Sequence, residues 1–327
     1  MDENWEIEKH KFDEETRLSV SVNNKLNASD LNKIEDLVAK NNIIYISFKT
    51  EQTTKLWKEI NRIIVTHSPT IRFAISNLKI GEFENLSFLE NLPDIQDLYI
   101  SNYYKLKDLS PISNLKKLRV LRLLYPFRSA RVRLKPLTEL KQLEEFEIFH
   151  VKDIEEIANF TSLKKITLLR LKCDNLDFLR PLINLEGIRL GASDKIADFS
   201  GLYDLPRLKD GFFIKDYKNT TAEFISHLKK MEKLKVHCFN SLVKFPSLES
   251  LDNLTELEIV HLKKLRNIDG VAKAKNLKEL IAFVGKEFKP SALKILKGHP
   301  SLQTLRAGFN TNKQEAEFEL IKKEILG

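Results

Sequence analysis

Apolar residues recur along most of this chain in a pattern that repeats every 20 to 25 residues. One clear copy runs from Leu109 to Leu123, where leucines and isoleucines stand three residues apart until the last gap, which is two. A spacing of three matches 3-10 turns, in which residues i and i+3 share a face. A spacing of two matches a strand, whose side chains alternate between faces. Each copy therefore predicts a tight turn followed by a short strand, with one continuous apolar edge.

The pattern is far more regular than composition alone would produce. Ten copies align on the anchors Ile95, Leu118, Leu143, Leu163, Leu185, Leu208, Met231, Leu254, Leu277 and Leu302. Each copy has six positions on the apolar edge, and of these sixty positions all but Gly211 and His299 are apolar. The whole chain is 42% hydrophobic, so chance would fill fewer than half of them. A fixed period of this length is typical of stacked-repeat architectures.

The strand part of the repeat resembles the L-x-x-L-x-L strand of leucine-rich-repeat proteins. Leu118-x-x-Leu121-x-Leu123 and Leu254-x-x-Leu257-x-Ile259 carry the match, and the segment 107–112 (KDLSPI) looks like the short internalin-type repeats of bacteria. The resemblance covers about residues 80–310. It implies an α/β solenoid with a curved parallel sheet and short helices or 3-10 turns on its convex side. The family usually places Asn or Cys three residues after the last strand leucine, and here only Asn310 fills that position.

The first eighty residues are less regular than the rest. Segments 17–22 (RLSVSV), 43–48 (IIYISF) and 71–75 (IRFAI) predict strands, with a helix between each pair, and they bring the expected sheet to about thirteen strands. We expect residues 1–80 to form an N-terminal cap or longer irregular repeats. Residues 81–312 should form the repeats, and residues 313–327 should form a C-terminal capping helix, because terminal repeats need a polar-backed cap.

Residues that alternate with the inward leucines should face outward on the concave side of the sheet. Many of them are aromatic, aliphatic or arginine, the types that most often anchor protein partners. The sequence therefore predicts a non-catalytic module that binds another protein, with an inhibitor or immunity protein as one specialisation. The predicted partner-binding residues are Tyr99, Arg122, Leu124, Glu147, Phe149, Leu169, Arg189, Phe212, Ile214, Lys235, His237, Glu258, Ile281, Phe283 and Arg306.

Nucleic acid is the alternative partner. The net charge is +8, and a basic insertion contains Arg128, Arg131, Arg133 and Lys135. Lysine pairs such as Lys263-Lys264 add to it. Against this reading, the outward rows also contain Glu147 and Glu258, whereas a groove for phosphates should be mainly basic.

Other function classes find no support in the sequence. The P-loop, zinc-protease and nucleophile-elbow motifs are absent, so we expect no enzyme activity, no cofactor and no metal site. No apolar run approaches the ~20 residues that a membrane helix needs. The two cysteines, Cys173 and Cys238, form no disulfide framework, and the acidic N-terminal segment lacks the apolar region of a signal peptide. These features favour a cytoplasmic protein.

Overall fold

The computed structural model describes residues 4–12, 15–40, 43–76, 83, 85–101, 106, 108–124, 132–149, 151–193, 195–214 and 222–327. The chain divides into two compact units, Met1–Leu163 and Lys164–Gly327. Within the described residues each unit contains seven strands that follow one another in chain order.

Unit 1 contains a sheet with two α-helices and several 3-10 turns. Its helices are α1 (Ala28–Lys40) and α2 (Thr54–His67). Its 3-10 turns are Ser87–Asn91, Ser110–Asn114, Lys135–Glu139 and Ile154–Asn159. Its strands are β1 (Trp5–Phe12), β2 (Glu15–Val22), β3 (Ile43–Phe48), β4 (Arg72–Ser76), β5 (Asp97–Ser101), β6 (Val120–Leu124) and β7 (Glu145–Phe149).

Unit 2 has the same turn-and-strand organisation and ends in one α-helix. Its strands are β8 (Lys165–Leu169), β9 (Gly187–Gly191), β10 (Asp210–Ile214), β11 (Lys233–His237), β12 (Glu256–Val260), β13 (Glu279–Phe283) and β14 (Thr304–Ala307). Its 3-10 turns are Asp177–Leu179, Ser200–Leu202, Glu223–His227, Val271–Lys273 and Pro290–Leu296. The terminal helix is α3 (Asn312–Leu326).

The apolar spacing of three corresponds to a run of short backbone hydrogen bonds. Ile112 donates its N–H to the carbonyl of Leu109 at 3.0 Å, and Leu115 donates to Ile112 at 3.0 Å. Leu118 then donates to Leu115 at 2.9 Å, just before the strand begins. These i→i+3 bonds place every third side chain on one face, where all of them are buried. The predicted tight turns are confirmed.

Strand register aligns the inward residues of successive repeats. In unit 1 a parallel column runs Val20, Ile46, Phe73, Leu98, Leu121 and Phe146, and each of its members is buried. The corresponding column in unit 2 runs Ile166, Ile188, Gly211, Leu234, Leu257, Leu280 and Leu305. The α/β solenoid predicted from the repeat is confirmed, and β2 to β14 are the thirteen expected strands.

Strand β1 is an element that the sequence analysis missed. It pairs antiparallel with β2, from Trp5 opposite Val22 to Phe12 opposite Glu15. Its sequence, WEIEKHKF, has charged residues at half of its positions, and Ile7 remains 42% exposed. A charged strand is typical of a sheet edge and lacks the strong apolar alternation of an interior strand.

Both exceptions to the apolar pattern have a local explanation. A side chain at Gly211 would meet the Phe213 ring at 2.8 Å and the Met231 sulfur at 3.1 Å, so neighbouring side chains already fill that space. His299 is half-buried and its Nε2 lies 3.0 Å from the carbonyl oxygen of Ala274. Burial lowers the pKa of His299 more than this contact raises it.

The position where the family usually has Asn is filled differently here. Val151, Leu171, Phe239 and Leu262 occupy it as buried apolar residues. In one repeat the position holds Ser193, which bonds to neighbouring backbone as the Asn would. Its hydroxyl accepts a hydrogen bond from the Leu171 N–H at 3.0 Å and donates one to the Gly191 carbonyl at 2.9 Å. In most of the described repeats, a buried apolar side chain thus stands where the family usually has an Asn side chain that bonds to neighbouring backbone.

Candidate partner-binding face

The outward positions of β8 to β14 form a regular array, which we call the unit 2 face. Parallel register places Thr167, Arg189, Phe212, Lys235, Glu258, Ile281 and Arg306 side by side in its central row. The next row contains Leu169, Gly191, Ile214, His237, Val260 and Phe283. The preceding row contains Lys165, Gly187, Asp210, Lys233, Glu256 and Glu279. Of the predicted site residues, ten lie on this face.

A shallow pocket opens around Arg189 on β9. Gly187 and Gly191 flank the arginine on the same side of the strand and provide no side chains to fill the surface. The Arg189 guanidinium carbon lies 5.0 Å from the centre of the Phe212 ring, a cation–π distance. The pocket has a volume of 240 Å³, and its lining includes Lys165, Asp210 and Lys235.

A polar cluster lies beside this pocket on β11 and β12. The Glu258 carboxylate lies 3.1 Å from Lys235 Nζ and 2.7 Å from His237 Nε2. The His237 ring also meets the Phe212 ring edge-on at 4.6 Å. Burial lowers the pKa of His237, and the Glu258 hydrogen bond offsets this only in part. Burial acts to raise the pKa of Glu258, but the hydrogen bonds from Lys235 and His237 outweigh it and lower that pKa.

An apolar strip completes the unit 2 face. Ile214, Val260 and Ile281 are half-buried, whereas Phe283 remains 46% exposed. The Phe283 ring occupies the space beside Gly308, where a side-chain carbon would come within 2.7 Å of it. At the end of the face, Arg306 is 61% exposed at its side chain and pairs with Glu279.

The five predicted residues in unit 1 lie on the outward side of β5, β6 and β7, but most of them have intramolecular roles. Arg122 contacts Asp97 at 2.7 Å and Glu145 at 3.1 Å, and its Nε lies 4.0 Å from Glu147. Only 18% of the Arg122 side chain is exposed. Tyr99 and Leu124 are half-buried, and Phe149 is only 9% exposed. This surface offers less free apolar and cationic area than the unit 2 face.

A second surface feature of unit 2 contains one of the lysine pairs that the sequence analysis assigned to the nucleic-acid alternative. A cleft of 600 Å³ is lined by Val243, Lys263, Lys264, Arg266, Gly285, Lys286 and Glu287, just beyond the ends of the strands. Arg266 is paired with Glu287 at 2.8 Å. The Lys263-Lys264 pair is the sequence feature that indicates this cleft. In the predicted basic insertion, Arg128 and Arg131 lie outside the described residues, and Arg133 and Lys135 are exposed.

The described part of the chain shows neither a metal centre nor a membrane span. No group of three or more His, Cys, Asp or Glu side chains within it is arranged to hold a metal ion. None of its helices combines the length and the apolar character needed to cross a bilayer. Cys173 and Cys238, both within the described residues, form no disulfide, and both are half-exposed.

The strand register decides the architecture of the chain. Parallel strands of five residues, each preceded by a tight turn and aligned leucine on leucine, are the elements of one known repeat class. The fold is that of a leucine-rich-repeat protein.

Comparisons with known proteins give matches among solved structures only. Neither a protein-family model nor a curated protein matches the sequence. Among solved structures the chain is similar to an internalin (InlF) of Listeria monocytogenes, with a TM-score of 0.43 and 15% identity over 92% of this chain and 84% of that one. It is also similar to internalin C2 of Listeria monocytogenes, with a TM-score of 0.42 and 19% identity over 64% of this chain and 84% of that one. A leucine-rich-repeat protein of Leptospira interrogans aligns with a TM-score of 0.40 and 16% identity over 90% of this chain and 91% of that one.

Proposed function

We propose that this leucine-rich-repeat protein is a non-catalytic module that binds another protein through the unit 2 face. The observation that carries the proposal is Phe283, a large aromatic side chain left 46% exposed on a strand. Ile214, Val260 and Ile281 extend the apolar surface around it, and Arg189 lies on the same face. Exposed apolar patches with aromatic and arginine anchors are typical of protein-binding surfaces.

Photo-crosslinking from position 283 tests this proposal. Benzoylphenylalanine in place of Phe283 keeps an aromatic ring on β13 of the face, and it should form a specific adduct with one protein in cells of the source organism. The matched control carries the same photoreactive residue at Ile183, which is 57% exposed in an outer turn. Equal adducts from positions 183 and 283, or none from 283, would remove the proposal.

The proposal has a narrower form, in which the partner is a toxin or an enzyme that this protein inhibits in the cytoplasm. Two half-exposed cysteines that form no disulfide are in keeping with a reducing compartment. Co-expression of the protein with the adduct partner tests this form. Protection from the partner's toxicity or loss of its enzyme activity is expected, and an unaffected partner would argue for a binding role without inhibition.

Nucleic acid is the second candidate partner, and the basic cleft at the strand ends is the observation that favours it. Lys263, Lys264 and Lys286 line this cleft, and all three are exposed. Phosphate binding of this kind weakens steeply with salt, because each neutralised phosphate releases a counterion. Fluorescence anisotropy with a single-stranded RNA should then show binding at low salt that Lys263→Gln with Lys264→Gln reduces. Absence of binding at low salt would eliminate this candidate.

A further inference from the structure

The lysine and arginine side chains of the unit 2 face differ in whether each already forms an ion pair with a carboxylate. Lys233 pairs with Glu256 at 2.7 Å, Lys235 pairs with Glu258 at 3.1 Å, and Arg306 pairs with Glu279. Arg189 is exposed, and among the described residues no carboxylate lies within salt-bridge distance of its guanidinium. The guanidinium lies over the ring of Phe212 instead.

Packing holds the Arg189 guanidinium ready for a ligand. The Phe212 ring lies under it at 5.0 Å and is itself braced edge-on by His237 at 4.6 Å. Stacking uses one flat side of a guanidinium and leaves the N–H groups at its edge free to donate in a fork. A fork of this kind matches the two oxygens of a carboxylate and forms stronger bonds than a neutral donor would.

Gly187 on β9 makes room beside this fork. A larger side chain at this position would occupy the surface between β8 and β10, where Gly187 lines the pocket. The resulting pocket of 240 Å³ is smaller than the ~300–1,000 Å³ of sites for drug-sized ligands. It is therefore suited to one side chain of a larger partner rather than to a whole small molecule.

The charges of the lining select the kind of side chain. Lys165, Arg189, Lys235 and the carboxylate of Asp210 line the pocket, and Lys235 is already paired with Glu258 at 3.1 Å, so Arg189 is the cation that determines the preference. The balance favours an anion, whereas Asp210 disfavours a doubly charged group more than a singly charged one. We propose that the Arg189 pocket receives an Asp or Glu side chain of the protein partner. This inference rests on the proposed function and adds to it the chemistry of one contact.

The test uses small probes and the arginine side-chain signals of the full-length protein. N-acetylglutamate N-methylamide should shift the Nε–Hε NMR signal of Arg189, and the glutamine analogue should not. Arg306 is the matched control, because Glu279 already occupies it. Equal shifts at Arg189 and Arg306, equal shifts with both probes, or a stronger response to the O-phosphoserine analogue would each overturn the inference.

Two variants separate pocket shape from charge. An added Cβ at Gly187 would meet Lys165 Cγ at 3.5 Å, an ordinary contact, so Gly187→Ala should fold and bind the glutamate probe nearly as well as the unaltered protein. Gly187→Leu should fill the pocket and weaken the binding affinity for the glutamate probe at least about tenfold, equivalent to ~1.4 kcal/mol. Unchanged probe affinity in Gly187→Leu would contradict the inference.

The outcomes distinguish the failure of this inference from the failure of the proposed function. If position 283 forms its adduct and Arg189 does not respond to the glutamate probe, only the carboxylate contact is wrong. If Arg189 responds and position 283 forms no adduct, the pocket binds an anion and the protein-binding face is wrong.

Discussion

Arg122 and Arg306 are both arginines of the central outward row, but they differ in exposure and in the number of their ion-pair partners. Arg122 is 18% exposed and contacts Asp97 and Glu145, which lie on the two neighbouring strands. Arg306 is 61% exposed and has one carboxylate partner. The sequence places both in the central row and predicts both as binding residues, because it does not show which carboxylates come within reach.

Removal of the Arg122 side chain should therefore destabilise the protein more than removal of the Arg306 side chain. Arg122→Ala removes the cation that Asp97 and Glu145 share, although Asp97 keeps Arg72 at 3.4 Å, and should cost about 2 kcal/mol. Arg306→Ala breaks an exposed pair and should cost less than about 1 kcal/mol. Urea unfolding of both variants measures the difference. Equal losses would contradict the structural role assigned to Arg122.

Two histidines give the stability of unit 2 a pH dependence. Burial lowers the pKa of His237 and of His299, with Glu258 and the Ala274 carbonyl as partial offsets. A lowered histidine pKa means that the unfolded chain binds its proton first as the pH falls. Stability should therefore be complete above the unfolded histidine pKa near 6.5 and should decline below it.

Substitution of both histidines tests that dependence. Thermal unfolding of the unaltered protein should show a fall in midpoint between pH 7.5 and pH 5.5, and His237→Gln with His299→Gln should show a smaller one. The protonation of Glu258 belongs to a lower pH range, because its pKa is also lowered. An identical fall in both proteins would assign the effect to other groups.

At the scale of elements, α3 occupies the position expected for a cap. Thr311 accepts the Gln314 N–H at 3.2 Å at its start. Phe318 and Ile321 are buried, and the Phe318 ring lies 5.5 Å from Phe309. The division into cap, repeats and capping helix stays a prediction, and α3 offers a direct way to test its last part.

Phe318 and Leu320 form a matched pair for that test. Phe318→Ala should destabilise unit 2 by about 3–5 kcal/mol, because it leaves a cavity at the end of the core. Leu320 is 64% exposed on the same helix. Leu320→Ala should change stability by less than about 0.5 kcal/mol. A small effect of Phe318→Ala in urea unfolding would show that α3 is not a cap.

Periodicity predicted most of the fold, because each turn and strand buries its side chains at fixed spacing. The strand Ile43–Phe48 followed from its apolar strand pattern in the same way. Strand β1 was missed because its charges hide its alternation. The Arg189 pocket depends on which residues become neighbours across four strands, and no spacing within one repeat contains that information.

At the scale of the molecule, the charge of +8 does not determine the partner. On the unit 2 face Glu256, Glu258 and Glu279 pair with lysine or arginine, which leaves a mixed surface with an apolar strip. The unpaired lysines of the basic cleft lie beyond the strand ends instead. Protein binding on the face and anion binding at the strand ends are therefore separable by mutation.

The central claim is that a protein partner docks on the unit 2 face, and the dissociation constant of that partner tests it most directly. Calorimetric titration of the protein captured from position 283 should show affinity at least about tenfold weaker for Phe212→Ala with Phe283→Ala. The control Ile183→Ala, in an outer turn, should bind as tightly as the unaltered protein. An unchanged dissociation constant in the double variant, with its fold intact, would contradict the account.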